Sequence, residues 1–179
     1  MEKEIDQIVW RVLREVQRLG HLDLEASEMA IRASLHQIGG VLLEKLLNTD
    51  GGGHAGAHID CAQGHRAEFV DYRWKEVVTV LAPVQVRRAY YHCAFYEGGV
   101  IPKDQQLDIE GISLRPGVRR MIGRVGGKEA FDLGREDLEE LAGVRVRTKQ
   151  VERVSENLGE PIEAMLRQER ELIWSGKIN

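Results

Sequence analysis

The chain has 179 residues, a formal net charge of -4 and 42% apolar residues, enough for one ordinary domain or a few small modules and too apolar for a disordered chain. The acidic balance excludes a wholly basic nucleic-acid coat, and no apolar run reaches the ~20 residues of a membrane span. Two cysteines exclude a disulfide framework, and the charged start carries no secretory apolar core, so the expected compartment is the cytoplasm, at the nucleoid.

In chain order, Ile5, Ile8, Val9, Val12, Leu13, Val16 and Leu19 recur at spacings of three and four, which predicts a helix ending near Gly20. A second helix is expected from an N-cap at Asp23 through Met29, Leu35, Leu42 and Leu47, with Gly39 and Gly40 as a weak point. The two helices form the expected hairpin, a helical arm over 1–50. The polar segment Asn48 to Gly56 reads as a flexible linker; it has no Lys-Ser or Lys-Thr ending of a phosphate loop.

A sheet module is expected over 58–105. Three extended runs fit it, Ala67 to Arg73, Lys75 to Leu81 and Val84 to Tyr91, with Ala82-Pro83 as a break. Around it stand two incomplete Cys-x-x-Cys knuckles, Cys61-Ala-Gln-Gly64 and Cys93-Ala-Phe-Tyr96. Cys61, His65 and Cys93 are the candidate ligands, with His58 and His92 as further imidazoles, because zinc selects thiolate and imidazole and a small sheet gains folding energy from closing around it. With thiols missing at Gly64 and Tyr96, zinc is expected to be held weakly or lost.

The region 112–179 reads as helical. Ser113 and Pro116 fit an N-cap and an early helical proline; further helices are expected after Gly126-Gly127, from a cap at Thr148 to Gly159, and from Ile162 to Trp174. Helix, glycine turn, helix is the helix-turn-helix outline. Arg145, Arg147, Lys149, Gln150 and Arg153 crowd the start of the Thr148 helix, where backbone amides meet phosphates and Arg or Gln side chains meet bases, with Arg119, Arg120 and Arg124 one helix earlier. A second basic set, Arg73, Lys75, Arg87 and Arg88 with Tyr90 and Tyr91, suits phosphates or stacked bases. Overall the expected fold is α+β: a helical hairpin, a small antiparallel zinc-ribbon-like sheet and a helix-turn-helix bundle.

Several motifs in one order, Cys61-x-x-Gly-His65, Tyr72-Arg-x-Lys75, Arg87-Arg-Ala-Tyr-Tyr-His-Cys93, Gly99-Val-x-Pro-x-Asp104, Arg115-Pro-Gly-Val-Arg-Arg-Met121, Glu139-Glu-Leu-Ala-Gly-Val144 and Lys149-Gln-Val-Glu-Arg153, resemble the upstream half of insertion-sequence transposases of the Kra group. The resemblance spans about Cys61 to Gly159. It implies binding to double-stranded DNA at element ends, ahead of an RNase H-like catalytic domain that would carry the divalent metals. The expectation is therefore the DNA-binding part of a truncated transposase, itself without cutting activity. The alternative is a non-catalytic structural or interaction protein, a homo-oligomer joined through its helices.

Overall fold

The computed structural model describes residues 6–7, 9–10, 13–14, 17, 23–95 and 98–174. The helix expected from Ile5 to Leu19 lies mostly outside the described residues; Asp6, Gln7, Val9, Trp10, Leu13, Arg14 and Gln17 are helical. The chain divides into two compact units, Met1–Arg115 and Pro116–Asn179, so the helix from Asp23 and the sheet share the first unit.

In the first unit, helix α1 (Leu24–Leu47) starts as the sequence predicts, with Asp23 Oδ1 accepting from the N–H of Ala26 at 3.0 Å. It runs unbroken through Gly39 and Gly40, contrary to expectation. These positions lie against the Leu81-Ala82 turn, since a Cβ on Gly40 would lie 2.7 Å from that of Ala82. The sheet is antiparallel in the order β1 (His58–Asp60), β2 (Arg66–Val78), β3 (Pro83–Cys93) and β4 (Gly98–Val100), followed by the short helix α2 (Pro102–Gln106). The two runs expected on either side of Trp74 are one strand, β2, with its register shifting between Phe69 and Asp71. Pro83 does end the break, which Thr79 closes by accepting the N–H groups of Leu81 and Ala82, both at 3.2 Å.

The buried side of β3 changes half-way along it. Val84 and Val86 are buried with Val77 and Ile109 on one face, whereas Ala89, Tyr91 and Cys93 are buried with Ala67 and Cys61 on the other. Because successive strand residues point to opposite faces, the change between Arg88 and Ala89 gives the sheet two cores on opposite sides.

Asn48 to Gly56 is not a free linker. Gly51, Gly52 and Gly53 all have φ between +70° and +85°, a conformation that suits glycine, and the Gly52 carbonyl accepts from the N–H of Ala89 at 2.8 Å. Asn48 and Glu44 serve the same edge of β3, accepting from the N–H groups of Arg87 and Gln85 at 2.8 Å each. The loop is pinned by Lys103, which is 2% exposed and donates to the Leu47 carbonyl and, at 2.5 Å, to Asp50.

The second unit contains α3 (Pro116–Gly126), α4 (Phe131–Ala142) and α5 (Thr148–Trp174), each touching the other two. Val118, Ile122, Leu138, Val144, Val151 and Val154 are its buried apolar residues. Ser113 does not cap α3; its carbonyl accepts from the N–H of Val78 within the first unit. Helix α5 continues through Gly159 and Pro161, joining the two runs expected as separate helices.

Burial pushes the Asp50 carboxyl up, but the Lys103 ammonium and the Gly52 N–H outweigh it and hold the carboxyl below its ordinary value. A carboxyl so shifted stabilises the fold above its unfolded pKa, near 4, and loses that contribution as pH falls through the lowered folded value. Asp50→Asn is therefore expected to lower the unfolding midpoint at pH 7, with the gap from wild type narrowing below about pH 4, measured by urea denaturation. A gap independent of pH would show that the ion pair is not its source.

Candidate metal centre and basic surfaces

Cys61 follows β1, and the tight connection to β2 returns His65 beside it. The Cys61 N–H donates to the His65 carbonyl at 2.8 Å and the Gly64 N–H to the Cys61 carbonyl at 2.9 Å. Gly64 makes the reversal with φ +77°. Cys93 closes β3 on the same buried side. One ligand atom from each of Cys61, His65 and Cys93 lies within 4.8 Å of the other two, and among the described residues this is the one such cluster.

The chemistry of the three fits a borderline-soft ion. Both cysteines are free and buried, at 5% and 0% exposure. His65 Nδ1 is buried without a hydrogen-bond partner, so no protein group competes with a metal for it, and its ring stacks on Phe95 with centroids 4.5 Å apart. Around tetrahedral zinc with bonds of ~2.3 Å, sulfur ligands lie about 3.8 Å apart, so a small contraction would suffice. Burial raises the Cys61 thiol, but the N–H groups of Gln63 and His65 and the Cys93 thiol more than offset it, leaving it below its ordinary value and closer to the thiolate a metal needs. The other imidazoles do not join. His58 meets Arg66 Nη2 at 2.8 Å, and His92 points to the face opposite Cys93. Tyr96 lies outside the described residues.

Lys75 and Arg88 belong to the interior rather than to the basic surface. Asp104, on α2, accepts from Arg88 Nη1 at 2.8 Å and from Lys75 Nζ at 3.4 Å, and Lys75 also reaches the Ile109 carbonyl at 2.6 Å. The sequence shows their charge but not the acid that consumes it. Arg73 and Arg87 stay at the surface, each over an aromatic ring: Arg73 lies 3.3 Å from the Tyr90 centroid and Arg87 3.7 Å from that of Tyr72. Tyr91 is buried, its hydroxyl accepting from the Ala55 N–H at 2.8 Å, and cannot stack on a base.

At the head of α5, Thr148 does not cap the backbone; its hydroxyl donates to Asp132 at the start of α4 at 2.6 Å. The cap comes from Gln150, whose Oε1 accepts from the Arg147 N–H at 2.9 Å, the return half of a capping box. That commits the Gln150 carbonyl and leaves only its NH2 for a partner. Arg147, Lys149 and Arg153 are exposed. Arg145 is exposed as well, though it meets Glu139 at 3.0 Å. Arg120 and Arg124 are exposed on α3, and Arg119 is half-buried there.

No family model, curated protein or solved structure matches the chain. Among the described residues no helix is long and apolar enough to cross a membrane.

Three ligands should hold zinc more weakly than a complete tetrahedral set, and more tightly as pH rises, because both thiols must lose protons. Elemental analysis is expected to find less than one zinc per chain after purification. Added Co²⁺ should give a thiolate charge-transfer band that Cys61→Ser or Cys93→Ser abolishes. One zinc per chain retained through chelator dialysis would mean that a further ligand completes the site.

Proposed function

We infer that the chain binds duplex DNA through the head of α5, acting as the DNA-binding region of a transposase-like protein. The observation that carries the reading is the set of exposed cations Arg147, Lys149 and Arg153 at one helix end whose position is fixed by Thr148–Asp132 and by the Gln150 cap. Helix N-termini present free amides and a partial positive charge to phosphates, and adjacent cations add to both. α4, the Gly143 turn and α5 have the connectivity of a helix-turn-helix, with α5 as the helix that enters the major groove and Arg145 following the backbone. Arg120 and Arg124 supply further phosphate contacts. Zinc at Cys61, His65 and Cys93 has a structural role in this reading, and the sequence resemblance makes element ends the natural target.

Each phosphate contact released with its counterion contributes about 0.9 to the slope of log K against log salt. Arg147→Ala with Lys149→Ala should therefore weaken binding to duplex DNA and reduce that slope by about two. Unchanged affinity and slope would remove α5 from the binding surface.

A second reading, self-association, is favoured by α1. Leu24, Ile31, Leu35, Leu42 and Leu46 are exposed and fall at spacings that share one helical stripe. Sedimentation should then show a dimer that Leu35→Glu dissociates. A monomer at all concentrations would end that reading while leaving the DNA reading intact.

A further inference from the structure

Between the two cores of the sheet, an aromatic and cationic surface is left open. Tyr72 and Trp74 are two residues apart on one face of β2, so their side chains are about 7 Å apart along the strand. Trp74 is directly opposite Arg87 in the register, and antiparallel partners project to the same side. Arg87 covers the Tyr72 ring while Trp74 is left 59% exposed. The two anchors are fixed from behind: a Cβ on Gly52 would come within 3.3 Å of the Tyr72 ring, and the Arg87 backbone N–H is held by Asn48 at 2.8 Å. No strand covers the outer edge of β2 here, because β1 pairs only with Arg66, Ala67 and Glu68.

We propose that Tyr72, Trp74 and Arg87 form a stacking platform for the unpaired bases of a single-stranded nucleic acid. One base would lie on the open indole of Trp74, and the Arg87 guanidinium, which lies over the Tyr72 ring and meets no carboxylate among the described residues, would meet the adjoining phosphate or stack on the next base. Duplex DNA does not fit this surface, because its base faces are occupied by their neighbours. The nearby acids are engaged: Asp71 with Arg73 at 3.2 Å, and Glu76 with Gln85 at 3.4 Å. They leave little net positive charge, so stacking rather than counterion release is the main source of affinity. The inference is independent of the duplex-binding reading of α5.

The experiment is fluorescence-anisotropy titration of the full chain with labelled twelve-residue oligo(dT), oligo(U) and a mixed-sequence twelve-base-pair duplex, for wild type, Trp74→Ala, Trp74→Phe, Arg87→Ala and the Arg147→Ala/Lys149→Ala variant. Wild type is expected to bind oligo(dT), with a salt slope of about one. Trp74→Ala should weaken it about tenfold, the effect of losing one stacked base, and Trp74→Phe should retain most of it. The Arg147→Ala/Lys149→Ala variant should stay within twofold of wild type. Oligo(U) binding as tightly would place recognition in bases and phosphates, whereas a loss there would point to exclusion of the 2′-hydroxyl. Absence of oligo(dT) binding, an affinity unchanged by Trp74→Ala in a chain of wild-type circular dichroism, or an equal Trp74 effect on the duplex would overturn the proposal.

Discussion

The first unit depends on two neighbouring residues of opposite charge that are both buried, Lys103 and Asp104. Removing an ion from water costs several kcal/mol, and pairing offsets that cost only in part here, since Asp104 Oδ1 and Arg88 Nε are buried without a hydrogen-bond partner. Lys103 takes the carbonyl at the end of α1 and the carboxylate of Asp50; Asp104 takes Arg88 and Lys75 from the two central strands. One turn of helix thereby fixes the end of α1, the glycine loop and the middle of the sheet. Losing either partner would strand a buried charge, so these contacts serve location more than net stability.

Their position explains the change of buried face in the sheet. Arg88 is the last buried β3 residue on the side of Val84 and Val86, and its charge, held inward by Asp104, ends that apolar face. The next residue, Ala89, begins the second core, whose wall is small enough for the glycine loop to lie against the strand edge. On β2 the irregularity between Phe69 and Asp71 adjusts the partner strand to the same exchange. Each core covers one half of one face. The uncovered halves are where Trp74 and Arg87 emerge on one side and Arg73 and Tyr90 on the other.

Local signals were legible in the sequence and distant partners were not. Asp23 caps α1, Pro83 opens β3, Pro116 opens α3, and α4 stops at Gly143, because each acts through its own backbone or immediate neighbours. Cys61, His65 and Cys93 could be grouped because thiol and imidazole chemistry marks them at any separation. The glycine loop reads as a linker in the sequence because what orders it is Lys103, about fifty residues later. Lys75 and Arg88 looked like surface cations because Asp104 cannot be paired with them from spacing. Thr148 reads as a cap, but the helix already includes it, the Arg147 N–H goes to Gln150, and the Thr148 hydroxyl turns to Asp132 on another helix, a partner that spacing does not reveal.

The same distinction bears on the metal centre. A zinc ribbon without other support owes its fold to the ion, since a small sheet buries too little apolar surface. Here the ligands adjoin a packed end of the sheet. Tyr91 is fully buried, its hydroxyl bonds to the Ala55 N–H and the Gly56 carbonyl, and Phe69 meets both Tyr72 and Tyr91 edge to face. His54, from the glycine loop, adds its ring 4.7 Å from Phe69. These contacts tie the loop to the strands without using a thiol, so closure of this end does not require an ion. A substitution at Cys61, His65 or Cys93 would therefore cost any metal affinity of the cluster before it cost the fold, which is the physical sense in which three candidate ligands can stand here without a fourth.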